Sequence, residues 1–300
     1  MSFDKSSLSQ QRLDLIVEDL ATEPGSLLDQ VFPSTQTDRA KYTVDVKPSV
    51  VGLSPQMGKL AEGAEAQPRP ASLATVTGQI NGRYEGSFRF SEAERIQLER
   101  SNIRMEEYAR QAQADCDHQV DRDLHTILGS GDYFQAVTRD GAAYTNVAAP
   151  FMTDILAVRE ALGRRPDLIC IMGADVADAV RQLDDIKARL SNYSAGGVDD
   201  TELQAMFRRL GFMNLFIPNS YGKVEKDGQA AVTLRYNFDG LLWVGRPEAI
   251  YNVQLGGPIG RFGEEVSTSS YLLKVERRLD IRPVFEDSKL GGAFITAPLG

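Results

Sequence analysis

The longest regular pattern of apolar and polar positions lies between residues 91 and 129. Ser91 followed by Glu94 fits a capping box, in which each side chain accepts from the backbone N–H of the other residue. Neither glycine nor proline occurs from residue 87 to residue 128. Apolar side chains recur every three or four residues in one stripe of Met105, Ala109, Ala112, Cys116, Val120, Leu124 and Ile127. The pattern predicts one helix that ends at Gly129 and is roughly 50 Å long.

The segments before this helix alternate between short regular patterns and irregular ones. Residues 8–21 have the spacing of a short amphipathic helix, and the polar stretch after it to about residue 40 is interpreted as an arm rather than core. Residues 42–46 and 73–90 alternate apolar and polar side chains, which predicts strands. Between them, residues 48–72 contain four prolines and three glycines, which indicates a long protruding loop.

The second half of the chain mixes helical and strand patterns. The predicted helices cover 152–163, 174–190 and 202–210, and the predicted strands cover 168–172, 215–217, 232–238, 241–244, 264–284 and 293–296, with a further strand considered at 248–254. The strand at 168–172 is continuously apolar, as in a strand buried on both faces. Residues 219–229 are interpreted as a polar turn and 256–263 as a glycine-rich connection. This order predicts a mixed α+β fold without the regular βαβ alternation of a doubly wound sheet.

Composition excludes several classes of protein. With 300 residues, 42% of them hydrophobic and 25% charged, the chain is expected to be globular, with one elaborate domain or two modest ones. The formal charge of -9 argues against a nucleic-acid-coating protein. No apolar run approaches the roughly 18 residues of a membrane span, so no membrane partner is expected. The first 20 residues lack the pattern of a secretory signal.

The residues that usually carry chemistry are few. Cys116 and Cys170 are the only cysteines and are expected to be reduced and buried. Only two histidines occur, at positions 118 and 125. Asp117, Asp121 and His125 are spaced four apart, which suits a weak divalent-cation site, but a solvated charged face or a subunit contact explains them better.

Motifs of catalysis and cofactor binding are missing from the sequence. It has no P-loop, no GxGxxG that opens a helix and no GxSxG elbow. Trp243 is expected to be a core aromatic. The Arg-Arg pairs at 164–165, 208–209 and 277–278 are too dispersed for a nucleic-acid patch, and ion pairs with a neighbouring subunit explain them equally well. We therefore expect no enzyme, no catalytic residue, no cofactor site and no metal site.

Five segments, in order, resemble the major capsid proteins of tailed bacteriophages with the Hong Kong 97-type fold. They are KLAEGAE at 59–65, SFRFSEAE at 87–94, RRPDLICIMGADVADAV at 164–180, LGFMNLFIPNSYGK at 210–223 and LLWVGRPEAIYNVQLGGPIG at 241–260. Each segment alone is a weak signal, whereas their order and spacing together are stronger. The resemblance extends from about residue 40 to the end of the chain.

The resemblance implies a role for each region. Residues 1–40 are expected to be an N-terminal arm and 41–90 an extended, β-hairpin-like loop over a neighbouring subunit. Residues 91–164 are expected to form a peripheral domain with its spine helix at 91–129. The axial domain at the centre of pentamers and hexamers is expected at 165–255, and residues 256–300 return to the peripheral domain.

The function implied is a structural head protein that self-assembles into pentamers and hexamers of an icosahedral shell around double-stranded DNA. The expected location is the virion, after synthesis in the host cytoplasm. Expected partners are other copies of the chain, a separate scaffold protein, portal and decoration proteins, and DNA without sequence-specific binding. The candidate assembly contacts are Lys59, Leu60, Glu62, Glu65, Arg69, Arg277 and Arg278. Lys59 lies in the loop that some members cross-link, but no partner Asn is matched, so cross-linking is not part of the expectation.

Two other functions stay open from the sequence. The first keeps the fold and is an encapsulin-type compartment that loads an enzyme instead of DNA. The second is a cytosolic enzyme with an unrecognised site, against which the shortage of histidines and of motifs argues.

Overall fold

The computed structural model describes residues 5–20, 25–46, 74–100, 102–163, 165–190, 198–218, 221–225, 232–265, 270–284 and 291–300. The helices are α1 (Lys5–Leu20), α2 (Leu27–Val31), α3 (Glu92–Arg100), α4 (Asn102–Leu128), α5 (Phe151–Ala161), α6 (Ala174–Gln182), α7 (Asp184–Leu190) and α8 (Asp200–Arg209). The strands are β1 (Ser34–Thr37), β2 (Lys41–Val46), β3 (Ala74–Gln79), β4 (Gly82–Phe90), β5 (Gln135–Val137), β6 (Ile169–Met172), β7 (Asn214–Phe216), β8 (Tyr221–Glu225), β9 (Val232–Tyr236), β10 (Leu242–Gly245), β11 (Ile250–Leu255), β12 (Ile259–Glu265), β13 (Ser270–Pro283) and β14 (Gly292–Ile295).

The first large sheet is built around β13, which pairs antiparallel with β4 along one edge and with β12 and then β11 along the other. Strand β1 extends this sheet by pairing parallel with β11. Helix α4 lies on one face of the sheet, where the thiol of Cys116 contacts the carbonyl oxygens of Tyr84 and Val275. At about 1.5 Å per residue, the 27 residues of α4 span about 40 Å.

The second large sheet has the strand order β5-β14-β10-β6-β7 and lies between two hydrophobic cores. Ile171 and Trp243 face the core beneath α4, and their chain neighbours Cys170 and Val244 face the core of α5 to α8. All four residues of β6 are buried. The expectation of a strand buried on both faces is therefore confirmed.

The segment interpreted as an arm is in part core. Helix α2 begins after the N-cap Ser26, and Leu28 and Phe32 are fully enclosed. Helix α1, as expected, is amphipathic, and its Leu13 and Val17 pack on β12. The expectation that the stretch after α1 is irregular and outside the core is wrong for residues 26–32, because their four apolar side chains, Leu27, Leu28, Val31 and Phe32, are buried in the same core as the apolar stripe of α4.

Three further expectations are corrected. Residues 219–229 contain strand β8 rather than only a polar turn, and 256–263 contain most of β12 rather than only a connection. The predicted helix 174–190 is two helices that meet at Leu183. The predicted long helix is described as α3 and α4, and Ser101 between them lies outside the described residues. The Ser91–Glu94 capping box is confirmed.

Candidate assembly surface

Two of the candidate contact residues, Arg277 and Arg278, are neighbours on β13 and point to opposite faces of the first sheet. Arg277 points towards α4 and its side chain is 7% exposed. Arg278 points away from α4 and its side chain is 39% exposed. The alternation of side chains along a strand gives these adjacent arginines different environments.

Arg277 is held inside the protomer by two carboxylates. One guanidinium nitrogen lies 2.8 Å from Asp29 of α2, and another donates to Asp117 of α4. Burial raises the pKa of the Asp117 carboxyl above its ordinary value, against the opposing effect of Arg277. Burial lowers the pKa of Arg277, but the attraction of Asp29 and Asp117 outweighs it and raises that pKa. The structure thus shows an intrachain role for Arg277, and its part in assembly stays a prediction.

Asp29 is the hub that ties the N-terminal segment to the sheet. Its carboxylate accepts from the hydroxyl of Ser26 at 2.7 Å and from the amides of Asn252 and Gln254 at 2.9 Å each. Gly25 passes so close to Asp117 that an added Cβ would lie 2.0 Å from the carboxylate. This polar network fixes the path of the chain into α2.

The other face of the first sheet, which we call the outer face, is charged. Helices α1, α3 and α4 contact odd-numbered positions of β13, or residues of β4 and β12 that pair with those positions. Side chains alternate along a strand, so the even-numbered positions point away from these helices. At positions 272–278 of β13 and the residues paired with them, the outer face carries five basic and two acidic side chains, namely Arg83, Arg89, Arg261, Lys274, Arg278, Glu85 and Glu276. This part of the outer face has a surplus of three positive charges on a chain whose formal charge is -9. Farther along β13, Arg282 and Asp280 pair with each other.

Glu276 lies at the centre of the outer face with its side chain fully shielded from solvent. Its carboxylate is 2.6 Å from Arg278, 3.0 Å from Arg83 and 3.4 Å from Lys274. Burial alone would raise the pKa of Glu276, but these cations outweigh it and lower the pKa. Glu85 stands directly across from Glu276, and Lys274 and Arg83 offset the repulsion between the two carboxylates.

Some of the basic side chains of the outer face lie at its rim. Arg89 and Arg261 are both exposed, and Ile259, beside Glu276, is 41% exposed. An exposed apolar side chain among partly neutralised cations suits contact with an acidic protein surface, because complementary charges orient such contacts. The outer face is thus a described surface whose charge and exposed apolar side chain suit contact with another protein.

The other candidate contacts, Lys59, Leu60, Glu62, Glu65 and Arg69, lie outside the described residues. The base of their loop is described as the hairpin of β2 and β3. The hydroxyl of Tyr42 donates to Asp280 at 2.5 Å, and Arg282 donates to the same carboxylate. Burial, followed by the bond to Asp280, raises the pKa of Tyr42. These bonds anchor the base of the loop to β13.

The acidic side chains of α4 that sequence spacing brought together have separate structural partners. Asp117 binds Arg277, and Asp121 accepts the N–H of Leu27 at 2.8 Å. Both carboxylates are buried, so the interpretation of a solvated face is wrong for them. His125 lies against the ring of Phe238. Within the described ranges, no group of three or more His, Cys, Asp or Glu residues has the geometry to hold a metal ion.

Both cysteines are buried and free, as expected. Burial raises the pKa of Cys116 to about 12, and burial also raises that of Cys170. Because the thiolate is the reactive form, a raised pKa lowers the reactivity of both thiols near neutral pH. Within the described part of the chain, none of the helices combines the length and the apolar character that a membrane crossing requires.

Sequence reasoning missed the network around Asp29 and the acid–base cluster around Glu276. Asp29 stands in a segment with little apolar pattern, and its partners Asn252 and Gln254 are more than 200 residues away in sequence. The alternation of β13 predicted a strand but not which elements cover each face. The partners of charged side chains depend on tertiary pairing, for which a single sequence has no local signal.

Comparison with solved structures identifies the fold. A phage-related protein from Bordetella bronchiseptica is 12% identical and matches with a TM-score of 0.60 over 95% of this chain and 97% of its own. A virus-like particle from Pyrococcus furiosus is 10% identical, with a TM-score of 0.57 over 95% and 98%. The capsid of a native GTA particle is 16% identical, with a TM-score of 0.56 over 91% and 90%. No protein-family model matches the sequence, and no curated protein matches it at a significant level.

These matches define a class of architecture. The chain has the Hong Kong 97-type capsid fold, an α+β fold, and the resemblance expected from the sequence is confirmed at the level of fold. At identities of 10–16%, similarity over nine-tenths or more of both chains reflects shared architecture rather than recent common sequence.

Proposed function

We propose that this chain is a major capsid protein that self-assembles into the pentamers and hexamers of an icosahedral shell enclosing double-stranded DNA. The observation that carries the proposal is the match to a GTA capsid structure over 91% of this chain and 90% of that one. Because both chains are covered almost completely, the similarity extends over the whole subunit rather than over one shared module. The virion is then the site of action, after synthesis in the host cytoplasm.

Assembly in this proposal rests on many modest contacts that symmetry repeats. The loop within residues 41–90 lies over a neighbouring subunit, where Lys59, Leu60, Glu62, Glu65 and Arg69 make contacts. The outer face, with Arg278 near its centre, binds an acidic surface of another copy. Charge complementarity supports this arrangement, because an outer face with a positive surplus belongs to a chain with a net charge of -9.

The remaining partners follow from the same function. A separate scaffold protein guides assembly, a portal occupies one vertex, and decoration proteins bind the finished shell. The enclosed DNA is held without sequence-specific contacts, since the net negative charge of the chain disfavours tight binding of phosphate.

Arg277 is also proposed as an assembly contact, in addition to its bonds within the protomer.

A second candidate function is a protein compartment that encloses an enzyme. The match to a virus-like particle with a TM-score of 0.57, over 95% of this chain, favours keeping this alternative. Both functions use the same subunit fold, so what the shell contains distinguishes them.

Electron microscopy of the purified chain, alone and after coexpression with its neighbouring genes, tests the proposal. Closed shells, or pentamers and hexamers, are the expected result. Nucleic acid in the shells supports a phage head, and a copurifying enzyme supports the compartment. A monomer or small dimer under every condition would refute both shell functions and favour an enzyme with an unrecognised site.

Variants of the loop and of the outer face test how assembly occurs. Deletion of residues 50–70 is expected to leave a folded subunit that forms no stable shell. Arg261→Glu is expected to weaken assembly, whereas Arg261→Lys, which keeps the charge, is expected to preserve it. Arg261 is preferable to Arg278 here because Arg278 also bonds to Glu276 within the protomer. Normal shells from the deletion or from Arg261→Glu would contradict the role of that element.

A further inference from the structure

The turn at residues 237–240 joins β9 to β10 and lies between helices α4 and α6. Both histidines of the chain contact this turn: His118 meets Asn237, and His125 meets Phe238. On its other side, the N–H of Gly240 donates to the carboxylate of Asp175, in the first turn of α6, at 2.8 and 3.0 Å. The turn therefore connects the helix of one core to a helix of the other.

The contact between Asn237 and His118 specifies where the imidazole can carry a proton. The side-chain amide nitrogen of Asn237 donates to the main-chain oxygen of His118 at 3.1 Å and also lies within hydrogen-bond distance of its Nδ1. Rotating the amide by 180° would set its oxygen against that carbonyl oxygen, so the nitrogen must face His118. Nδ1 then acts as an acceptor, which requires a neutral ring with its proton on Nε2.

The turn itself is held in an unfavourable backbone conformation. Phe238 is fully buried and has φ of 71°, a left-handed value that bulky residues rarely adopt. Its ring centroid is 5.8 Å from that of His125. Its carbonyl oxygen lies so close to Gly173 that a Cβ there would approach to 2.1 Å. Such a conformation persists only while its surroundings hold it, so loss of one contact favours opening.

We propose that the 237–240 turn is a proton-sensitive latch between α4 and α6, which opens when His118 takes up a proton at Nδ1. The proton comes from solvent and forms an N–H on the ring. Two N–H donors, of Asn237 and His118, then face each other, and the bond between them is lost. This inference stands on the geometry of the single chain and is independent of the proposed assembly function.

The charged surroundings support a response in mildly acidic solution. The charged groups that act on His118 are Asp115 and Arg122, both on α4, and the one that acts on His125 is Asp175 of α6. Burial lowers the pKa of both histidines below the ordinary value of 6.5. A histidine with a lowered folded-state pKa stabilises the closed form above the pKa of the free ring. This stabilisation of the closed form is lost as the pH falls below the pKa of the free ring.

Hydrogen exchange of peptides covering residues 237–245, corrected for the intrinsic effect of pH on exchange, measures opening. Between about pH 7.5 and about pH 5, we expect protection in the native protein to fall. Each pH unit below the pKa of the free ring lowers protection by up to about tenfold, because protonation favours the open state until the closed state also titrates. His118→Gln keeps an acceptor that does not titrate, and its protection is expected to fall much less than in the native protein, with the remaining fall due to His125, whose pKa burial also lowers. His125→Gln is the matched control and is expected to keep most of the pH dependence.

Asn237→Asp gives a second and opposite test. A carboxylate beside His118 accepts from a protonated Nδ1, so protection in this variant is expected to rise, or to fall less, on acidification. Constant protection in the native protein would overturn the proposal. So would the same acid-induced loss in His118→Gln or Asn237→Asp as in the native protein.

Discussion

Arg277 and Arg278 form a natural matched pair for measuring what the buried network contributes to stability. Arg277→Met removes the guanidinium that lies between Asp29 and Asp117 and keeps a side chain of similar length. The carboxylates of Asp29 and Asp117 then remain without their shared cation. In the native protein the side chain of Arg277 is 7% exposed and that of Asp117 is 9% exposed. Removing one partner of a buried ion pair costs about 3–5 kcal/mol, because the charge that remains is unpaired and desolvated.

The adjacent substitution is expected to cost far less. Arg278→Met takes one of three cations from Glu276, which keeps Arg83 and Lys274. Arg278 is 39% exposed, and the buried carboxylate of Glu276 stays paired with its two other cations. The loss is therefore expected to be closer to the about 0–1 kcal/mol of a surface ion pair than to the cost of leaving a buried charge unpaired. The two variants remove the same chemical group from consecutive positions, so the difference between them measures the environment rather than the residue type.

Urea unfolding of the purified chain, followed by circular dichroism, gives the free energy of unfolding for each variant. The loss in Arg277→Met is expected to exceed that in Arg278→Met by at least about 2 kcal/mol. Adding Asp117→Asn to Arg277→Met should recover part of the loss by removing an unpaired charge. The loss should also shrink at acid pH, because burial raises the pKa of Asp117 and protonation removes its charge. Equal losses in the two arginine variants would refute this account.

Two further predictions concern packing and thiol chemistry. Gly292→Ala places a Cβ 2.6 Å from the ring of Trp243 and is expected to destabilise the chain by about 1–3 kcal/mol, as overpacking does. The control Gly263→Ala, where a Cβ would meet no atom within 4 Å, should change the free energy of unfolding by less than about 0.5 kcal/mol, and a similar loss in both would contradict the packing argument. Cys116 and Cys170 are expected not to react with a chromogenic disulfide reagent in the native protein and to react fully in denaturant, because burial raises the pKa of both thiols. A fast native reaction of either thiol would show that it is accessible.

The parts of the fold that were predictable have a local cause. The stripe on α4 follows the period of one helix, and Met105, Ala109, Ala112, Cys116, Val120 and Leu124 are all 2% exposed or less, as predicted. Ile127, the last member of the predicted stripe, is only partly buried, and its neighbour Leu128 is the fully buried residue at that end. The capping box at Ser91 and Glu94 is likewise a property of four consecutive residues. Such features can be predicted from the sequence because they depend only on neighbouring residues and need no distant segment.

The parts that were missed depend on residues far apart in the chain. Gly260 looks like a flexible connection, but it lies in β12, where it pairs with Val275 of β13. Leu13 of α1 packs where a side chain would stand, 2.8 Å from an added Cβ. Asp121 looks solvated until the N–H of Leu27 is placed against it. In the candidate site, Arg277 and Arg278 have different surroundings because α4 and α2 supply carboxylates on one face of β13 only to Arg277.

The position of β10 between two cores has a consequence for how the chain folds. Trp243 packs against Phe32 and Phe134 on one side, while Val244, the next residue, belongs to the core of α5 to α8. A shift of one residue in the pairing of this strand would exchange the two sets of side chains and disrupt both cores together. The two cores are thus distinct in the fold but are expected to unfold as one cooperative unit, in which local damage to either core lowers the melting temperature of both.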